Sequence, residues 1–338
     1  KIVGDKLSLI WTKWPLEVLK TTDGGLTFES PNYYFILKLK TIKEVPSWFQ
    51  GKSGVTKPEK KPDKPINDLK KPYTLDILKK EIDELTKKTN KSTIEKTKLA
   101  DLNKIKALTK IQFQSLPSEI KNALQFNLIS SFSTTEFTIA DDMSKYILSK
   151  VDPDLKKDEL SKLSITDATA CIGGNTISFG KFFSNVNSIE LENFNYIILD
   201  HNVKLSKKLK DLYKPPVNGD IKVYLGSYED VLPKIKSNDV IFFDPPWTSG
   251  SEIYDKANPV IPKLGDKTIF EVIDNVCNIY KHVFVKLPVN LFESSHIEGI
   301  DTKQFKVKKY EKMMLIYKKC KEDEPKKDEP KKDEPKKD

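Results

Sequence analysis

Asp244-Pro245-Pro246-Trp247 closes the apolar run Val240-Ile241-Phe242-Phe243. A carboxylate and the carbonyl of the first proline can both accept hydrogen bonds from an exocyclic –NH2. That fixes the amine, aims its lone pair at a methyl donor and offsets the positive charge that grows on nitrogen. The aromatic ring that follows can stack on the base carrying the amine. Asp244, Pro245 and Trp247 are therefore the candidate catalytic residues, with Pro246 and Trp247 against the substrate, and the chemistry they suit is amine methylation. A plain alternative is a strand that ends in a Pro-Pro turn beside a buried Trp.

A methyl donor needs its own site, and three features earlier in the chain fit one. Asp167-Ala168-Thr169-Ala170-Cys171-Ile172-Gly173-Gly174-Asn175-Thr176 reads as a strand running through a glycine turn into a helix. Glycines at such a turn let a ligand approach the backbone. The next strand ends in Glu190-Leu191-Glu192, where a carboxylate can take both ribose hydroxyls, and Leu225-Gly226-Ser227-Tyr228 closes the strand after it, where an adenine would lie. Neither a Gly-x-Gly-x-x-Gly fingerprint nor a Gly-x-x-x-x-Gly-Lys-Ser/Thr loop occurs. S-adenosylmethionine, which has no pyrophosphate, needs neither. Asp167, Cys171, Gly173, Gly174, Asn175, Thr176, Glu190, Ser227 and Tyr228 are the candidate cofactor residues.

The elements that must position these groups alternate in type. Strands are predicted at Ser164–Ala168, Asn187–Leu191, Lys222–Leu225, Val240–Phe243, His282–Leu287 and Met313–Lys318, with helices at Thr176–Phe183, Phe194–Leu212 and Lys267–Tyr280. This β/α alternation predicts a doubly wound, mostly parallel α/β sheet that binds ligands beyond the carboxyl ends of its strands. Ahead of it, Leu75, Leu78, Ile82 and Leu85, then Leu102, Ile105 and Leu108, recur at helical spacing, and helical character is expected to continue through Leu116–Phe132 and Phe137–Val151. The domain reading is a β-rich region at 1–50, with Asp23-Gly24-Gly25 as a hairpin turn, a Lys/Pro-rich linker at 51–73, a helical segment at 74–150, the α/β domain at 151–320, and a disordered tail at 321–338 that repeats Lys-Lys-Asp-Glu-Pro. The role of residues 1–50 is not legible.

Composition narrows the class. The net charge is +9, and all 58 basic residues are Lys. Phosphate contacts must then come from point-charge ammonium groups without the fork of Arg. The basic surplus favours a polyanionic partner, although much of it lies in linkers. The Lys-only composition suits an AT-rich genome such as that of a large DNA virus. Cys171, Cys277 and Cys320 lack metal-ligand spacing, so neither a zinc site nor a disulfide framework is expected, and a reducing compartment is. His201, His282 and His296 are scattered. No apolar run is long enough to span a membrane and no signal peptide is visible, so an intracellular site, in the cytoplasm (a viral factory) or nucleus, is expected. The chain opens on Lys1 rather than Met, as a piece of a longer protein would.

Asp167–Phe179 (DATACIGGNTISF), with Ser188–Glu192, resembles the signature of the trimethylguanosine synthase family, the RNA cap guanine-N2 methyltransferases. That family reads Asp-Ala-Phe-Cys-Gly-Val-Gly-Gly-Asn-Thr, an acidic strand end, Ser-Pro-Pro-Trp-Gly-Gly and Leu-Pro-Arg-Asn; here the last place is Leu287-Pro288-Val289-Asn290. The resemblance covers roughly residues 110–320. It implies a Rossmann-like class I methyltransferase that uses S-adenosylmethionine, acts on capped RNA and has a preceding helical segment covering cofactor and cap. On a residue-by-residue match, Asp167 would hold the amino group of the cofactor, Gly173 and Gly174 would face its methionine part, and Glu190 would take the ribose. Trp247 would stack on the cationic 7-methylguanine, with Asn290 on the substrate side. Three departures stand out: Asp244 replaces Ser, Thr248-Ser249-Gly250 replaces Gly-Gly, and Ser227 stands where an Asp is usual. Without Arg, lysines such as Lys181, Lys256 and Lys286 would have to meet the cap phosphates. Asp at the head of the motif is typical of adenine-N6 methyltransferases on DNA or RNA, so that reading stays open, as does an inactive methyltransferase fold serving as an RNA-binding or stimulatory subunit.

Overall fold

The computed structural model describes residues 71–156, 159–247, 259–294, 297 and 299–320, and the backbone of five short strands before them. It divides into two compact units, Lys1–Asp63 and Lys64–Asp338. In the first, β1 (Ile2–Val3) pairs antiparallel with β2 (Lys6–Leu7), and β3 (Glu17–Lys20), β4 (Leu26–Ser30) and β5 (Tyr33–Leu37) form an antiparallel meander. Asp23-Gly24-Gly25 falls between β3 and β4. The linker up to residue 70 and the tail from residue 321 lie outside the described residues.

The second unit opens with helices. Thr74 caps α1 (Leu75–Lys87), whose inner face is Leu78, Ile82 and Leu85. A Ser92/Glu95 capping box starts α2 (Thr93–Gln112). The stretch expected to continue as helix breaks up instead. Only α3 (Ser118–Ala123) and α4 (Ser130–Ser133) form there, because Phe126 leaves the helix to pair through its backbone with Tyr73. Helix α5 (Phe137–Val151) coincides with its predicted span.

The α/β part follows as β6 (Ser161–Asp167), α6 (Gly174–Phe179), β7 (Phe183–Glu190), α7 (Asn193–Lys208), β8 (Asp220–Leu225), α8 (Tyr228–Val231) and β9 (Val240–Phe243). A small hairpin, β10 (Lys263–Leu264) and β11 (Lys267–Thr268), leads into α9 (Ile269–Val276), β12 (His282–Pro288), β13 (Lys306–Lys309) and β14 (Met313–Lys319). Helix α6 is shorter than predicted, since Phe183 already belongs to β7, and β13 is a strand with no apolar alternation to announce it. The seven strands lie in the order β13-β14-β12-β9-β6-β7-β8. Counted along the chain from β6, that is 6-7-5-4-1-2-3, parallel except for β14. This is the doubly wound sheet of the class I methyltransferase fold. The order reverses between β6 and β9, which makes the carboxyl ends of those two strands the crevice where a ligand belongs.

Both faces of the sheet are covered, which is why its central strands read as continuous apolar runs. Val240 and Phe242 pack on one side with Phe284, Tyr317 and the helices α1–α7. Ile241 and Phe243 pack on the other with Val283, Val285 and α9. The helical segment is thus continuous with the core of the sheet. Asn202 of α7 ties the two together: its Nδ2 donates to the carbonyls of Gln125 (2.9 Å) and Ile172 (3.0 Å), and its Oδ1 accepts from the Gln125 N–H (2.9 Å).

Cys277, just after α9, and Cys320, just after β14, form a disulfide with an S–S distance of 2.01 Å. This corrects the expectation that none would form. The two cysteines lie 43 residues apart, and only the docking of α9 beside the β12–β14 pair brings them together. Among the described residues no helix is long and apolar enough to cross a membrane.

Asn202→Ala would leave one buried and two partly buried backbone groups without this partner and is expected to cost about 2 kcal/mol in urea denaturation.

Candidate functional site

At the switch point the backbone after β6 is forced into a tight cradle. Cys171 adopts φ 51 and Gly173 φ 99. A Cβ at Gly173 would sit 2.9 Å from Leu199 Cδ1 in a conformation that L residues rarely adopt, so glycine is required there. Gly174 starts α6, and a Cβ on it would come within 3.1 Å of Thr134 Cγ2 and 3.2 Å of the Thr135 carbonyl oxygen. The second glycine therefore lets the segment between α4 and α5 lie directly against the cradle.

Three carboxylates gather at this edge. Asp167, fully buried, accepts a hydrogen bond from Thr176 Oγ1 (2.7 Å) through Oδ2, while its Oδ1 is buried with no partner. Burial pushes its carboxyl up to about 7, helped by the charges of Asp244 and Glu190 and opposed by the Thr176 bond. Glu190 accepts from the N–H of Cys171 (2.7 Å, Oε2) and of Glu192 (2.9 Å, Oε1). Burial pushes it too up to about 7, against those two backbone bonds. Burial likewise raises the Cys171 thiol.

Asp244 continues β9 on the face of Phe242, and Lys286 continues the same face of β12 from Phe284. The parallel register pairs Val285 with Phe243, so the next residues, Lys286 and Asp244, are lateral neighbours. Lys286 Nζ donates to Asp244 Oδ2 (2.7 Å) and to Thr135 Oγ1 (2.8 Å), with its side chain only 5% exposed. Asn175 Nδ2 (3.3 Å) and Thr135 Oγ1 (3.4 Å) also donate to Asp244 Oδ2. The Asp244 N–H donates to Thr169 Oγ1 (2.7 Å), and Lys286 Nζ lies 5.5 Å from the centroid of the Trp247 ring.

The structure thus brings Asp167, Cys171, Gly173, Gly174, Asn175, Glu190 and Asp244 to one edge. Thr176 lies there too, fully buried, accepting from Ser188 Oγ (3.0 Å) while it donates to Asp167. Ser227 caps α8, and the Tyr228 ring meets Phe243 edge-on at 5.6 Å, next to the carboxyl end of β8. Pro245 is buried, Pro246 exposed and Trp247 half-buried. Asn290 is exposed after β12, at the start of a single 3-10 turn. The lysines expected to meet phosphates do not stand ready for it. Lys181 is buried in an ion pair with Asp141 (2.9 and 2.7 Å), and Lys286 is committed to Asp244. Lys256 and Thr248-Ser249-Gly250 lie outside the described residues. Thr135 and the pairing role of Lys286 were not foreseen. A lysine inside the apolar strand Val283-Phe284-Val285-Lys286-Leu287 was the available signal, because a buried ammonium needs a carboxylate. Thr135 had no such signal.

These groups fit S-adenosylmethionine. Asp167 Oδ1 is an orphaned buried acceptor that an ammonium would satisfy, and the Glu190 oxygens keep lone pairs for hydroxyl donors.

In the folded, ligand-free protein Asp167 and Glu190 keep protons that the unfolded chain has already released. Stability should therefore fall as pH rises from about 4 to about 7 and respond no further to these groups above that. Thermal unfolding across that range should show the slope, and Asp167→Asn should remove about half of it, leaving the part that Glu190 contributes.

Residues 163–324 match the family model described as RNA cap guanine-N2 methyltransferase. A stretch of 91 residues is 40% identical to an uncharacterized protein of Acanthamoeba polyphaga mimivirus, covering 27% of this chain and 32% of that protein. Among solved structures, a putative methyltransferase from Porphyromonas gingivalis aligns at 14% identity and TM-score 0.46 over 72% of this chain and 55% of that one. A putative RNA methyltransferase from Pyrococcus horikoshii aligns at 14% identity and TM-score 0.36 over 64% and 97%. The chain thus spans about a third of the viral protein and about half of the bacterial one. The strand order, the cofactor-shaped edge and the family-model match together make the α/β part, residues 161–319, an S-adenosylmethionine-dependent methyltransferase domain.

Proposed function

We propose that this domain methylates the exocyclic N2 amine of guanine in the 7-methylguanosine cap of RNA. The observation that carries the reading is Asp244. Its carboxylate stands at the switch point, on the strand next to Asp167, and heads a Pro-Pro-Trp run inside the stretch that matches the cap methyltransferase family model.

S-adenosylmethionine supplies an electrophilic methyl carbon on a sulfonium. Asp167, Gly173 and Glu190 would hold it by its ammonium, its methionine backbone and its ribose, and Ser227 and Tyr228 would lie beside the adenine. Asp244 and the Pro245 carbonyl accept the two N–H bonds of the target amine, which leaves its lone pair directed at the methyl carbon. The N–C bond would form as the S–CH3 bond breaks and leaves a neutral thioether; the Asp244 carboxylate would offset the charge growing on nitrogen, and the surplus proton would leave to water after transfer. Trp247 stacks on the base, where a methylated, cationic guanine gains a cation–π attraction that a neutral base lacks. Pro246 and Asn290 lie on the substrate side of the same edge.

Adenine N6 is the second reading, favoured by one observation: an Asp, not a Ser, heads the motif. A capped RNA and an adenine-containing DNA or RNA, each incubated with labelled cofactor, separate the two. Nucleoside mass spectrometry should show N2-methylated 7-methylguanosine, and N6-methyladenosine in its place would overturn the cap reading. Failure to bind S-adenosylmethionine in calorimetry would point instead to an inactive, RNA-binding subunit.

Asp244→Ala should lower kcat on capped RNA by about 100-fold or more while cofactor affinity stays within a few-fold. Trp247→Ala should raise KM for the cap by about 10-fold. Near-normal turnover in Asp244→Ala would sink the assignment.

A further inference from the structure

We infer that Lys286 is a positioning residue for methyl transfer: it supplies the counter-ion of Asp244 and takes its Oδ2, assigning the target amine to the other carboxylate oxygen. This rests on the reading of Asp244 as the amine acceptor.

Three donors, Lys286 Nζ, Asn175 Nδ2 and Thr135 Oγ1, converge on Oδ2 at 2.7, 3.3 and 3.4 Å. They come from β12, the start of α6 and the segment before α5, so the carboxylate is clamped from three sides. Such convergence fixes the plane of the carboxylate and so the direction in which it can receive an amine. The same ammonium lies 5.5 Å from the Trp247 ring centroid, so one cation contacts both halves of the motif, acceptor and stacking ring.

Charge makes the pairing necessary. Asp244 shares its edge with Asp167 and Glu190, both buried, and its charge and that of Glu190 both act on Asp167. Lys286 is the cation bonded to Asp244 among the described residues, and it is 4% exposed. A buried ammonium on an apolar strand costs several kcal/mol in lost hydration unless it is paired. The related family pattern carries a neutral Ser at the Asp244 place, where no counter-ion is needed. Lys286 and Asp244 therefore behave as one unit: the carboxylate brings a stronger acceptor for the amine, and the lysine makes it tolerable in this position.

The test is Lys286→Met, which keeps length and loses charge. Lys286→Arg, which keeps a cation beside Asp244, is the control. On capped RNA, Lys286→Met should lower kcat at least 10-fold with KM for S-adenosylmethionine within a few-fold, and Lys286→Arg should recover most of that loss. Should Lys286→Met fold poorly, the double variant Lys286→Met/Asp244→Ser removes the orphaned carboxylate and should regain stability over the single variant; no gain would overturn the pairing. A kcat within twofold in Lys286→Met, or an equal loss in Lys286→Met and Lys286→Arg, would show that Lys286 only fills space. A wild-type protein inactive on capped RNA would refute the substrate reading, while the thermal stabilities of the single and double variants, measured without substrate, would still decide the role of Lys286.

Discussion

Like charges crowd the carboxyl edge of a parallel sheet. β6 ends in Asp167, β7 in Glu190, and β9 runs into Asp244, and parallel pairing delivers all three to the same side. Each carboxylate is managed differently. Asp167 takes a hydroxyl bond from Thr176 on one oxygen and leaves the other without a side-chain partner. Glu190 is held by two backbone N–H groups, one of them from the strained turn at Cys171. Asp244 has a true counter-ion. Two of the three are thus kept near neutrality by burial until a cationic ligand arrives, and the third is already balanced. A cofactor that carries an ammonium and a sulfonium relieves the arrangement, which explains why a fold would retain so much acid in a place with so little water.

The cradle is not a property of the sheet alone. Gly174 has no room for a side chain because the segment carrying Thr134 and Thr135 lies against it, and Thr135 then reaches both Lys286 and Asp244. Asn202 and the Asn127–Asn195 pair (3.0 Å) hold that segment to α7 with buried amides, which bond well only in one geometry. The segment between α4 and α5 therefore completes the wall of the site, while the helices around it belong to the core.

How much was legible can be judged element by element. The central strands were, because burial on both faces writes them as unbroken apolar runs such as Val240–Phe243. Helix α5 was, because its inward residues keep a helical period. The stretch from Leu116 to Phe132 was not: its apolar content is real, but Phe126 spends its backbone on a bridge to Tyr73, a contact that no local pattern reveals. β13 was missed because its lysines face water on an edge. The disulfide was missed because 43 residues of chain separate its cysteines.

The order of the chemistry was set by sequence alone: a glycine turn, an acidic strand end, then a carboxylate with two prolines and a tryptophan. Side-chain type and strand periodicity are local, and they suffice to bring a glycine turn and these carboxylates to one expected edge. Tertiary structure decided what each group is bonded to. It bonded Thr176 to Asp167 and Lys181 to Asp141. It also set Lys286 beside Asp244, because parallel register alone makes residues 42 positions apart into neighbours. Pairing in a low-dielectric interior fixes charge and direction, and those depend on distances that the linear order of residues does not contain.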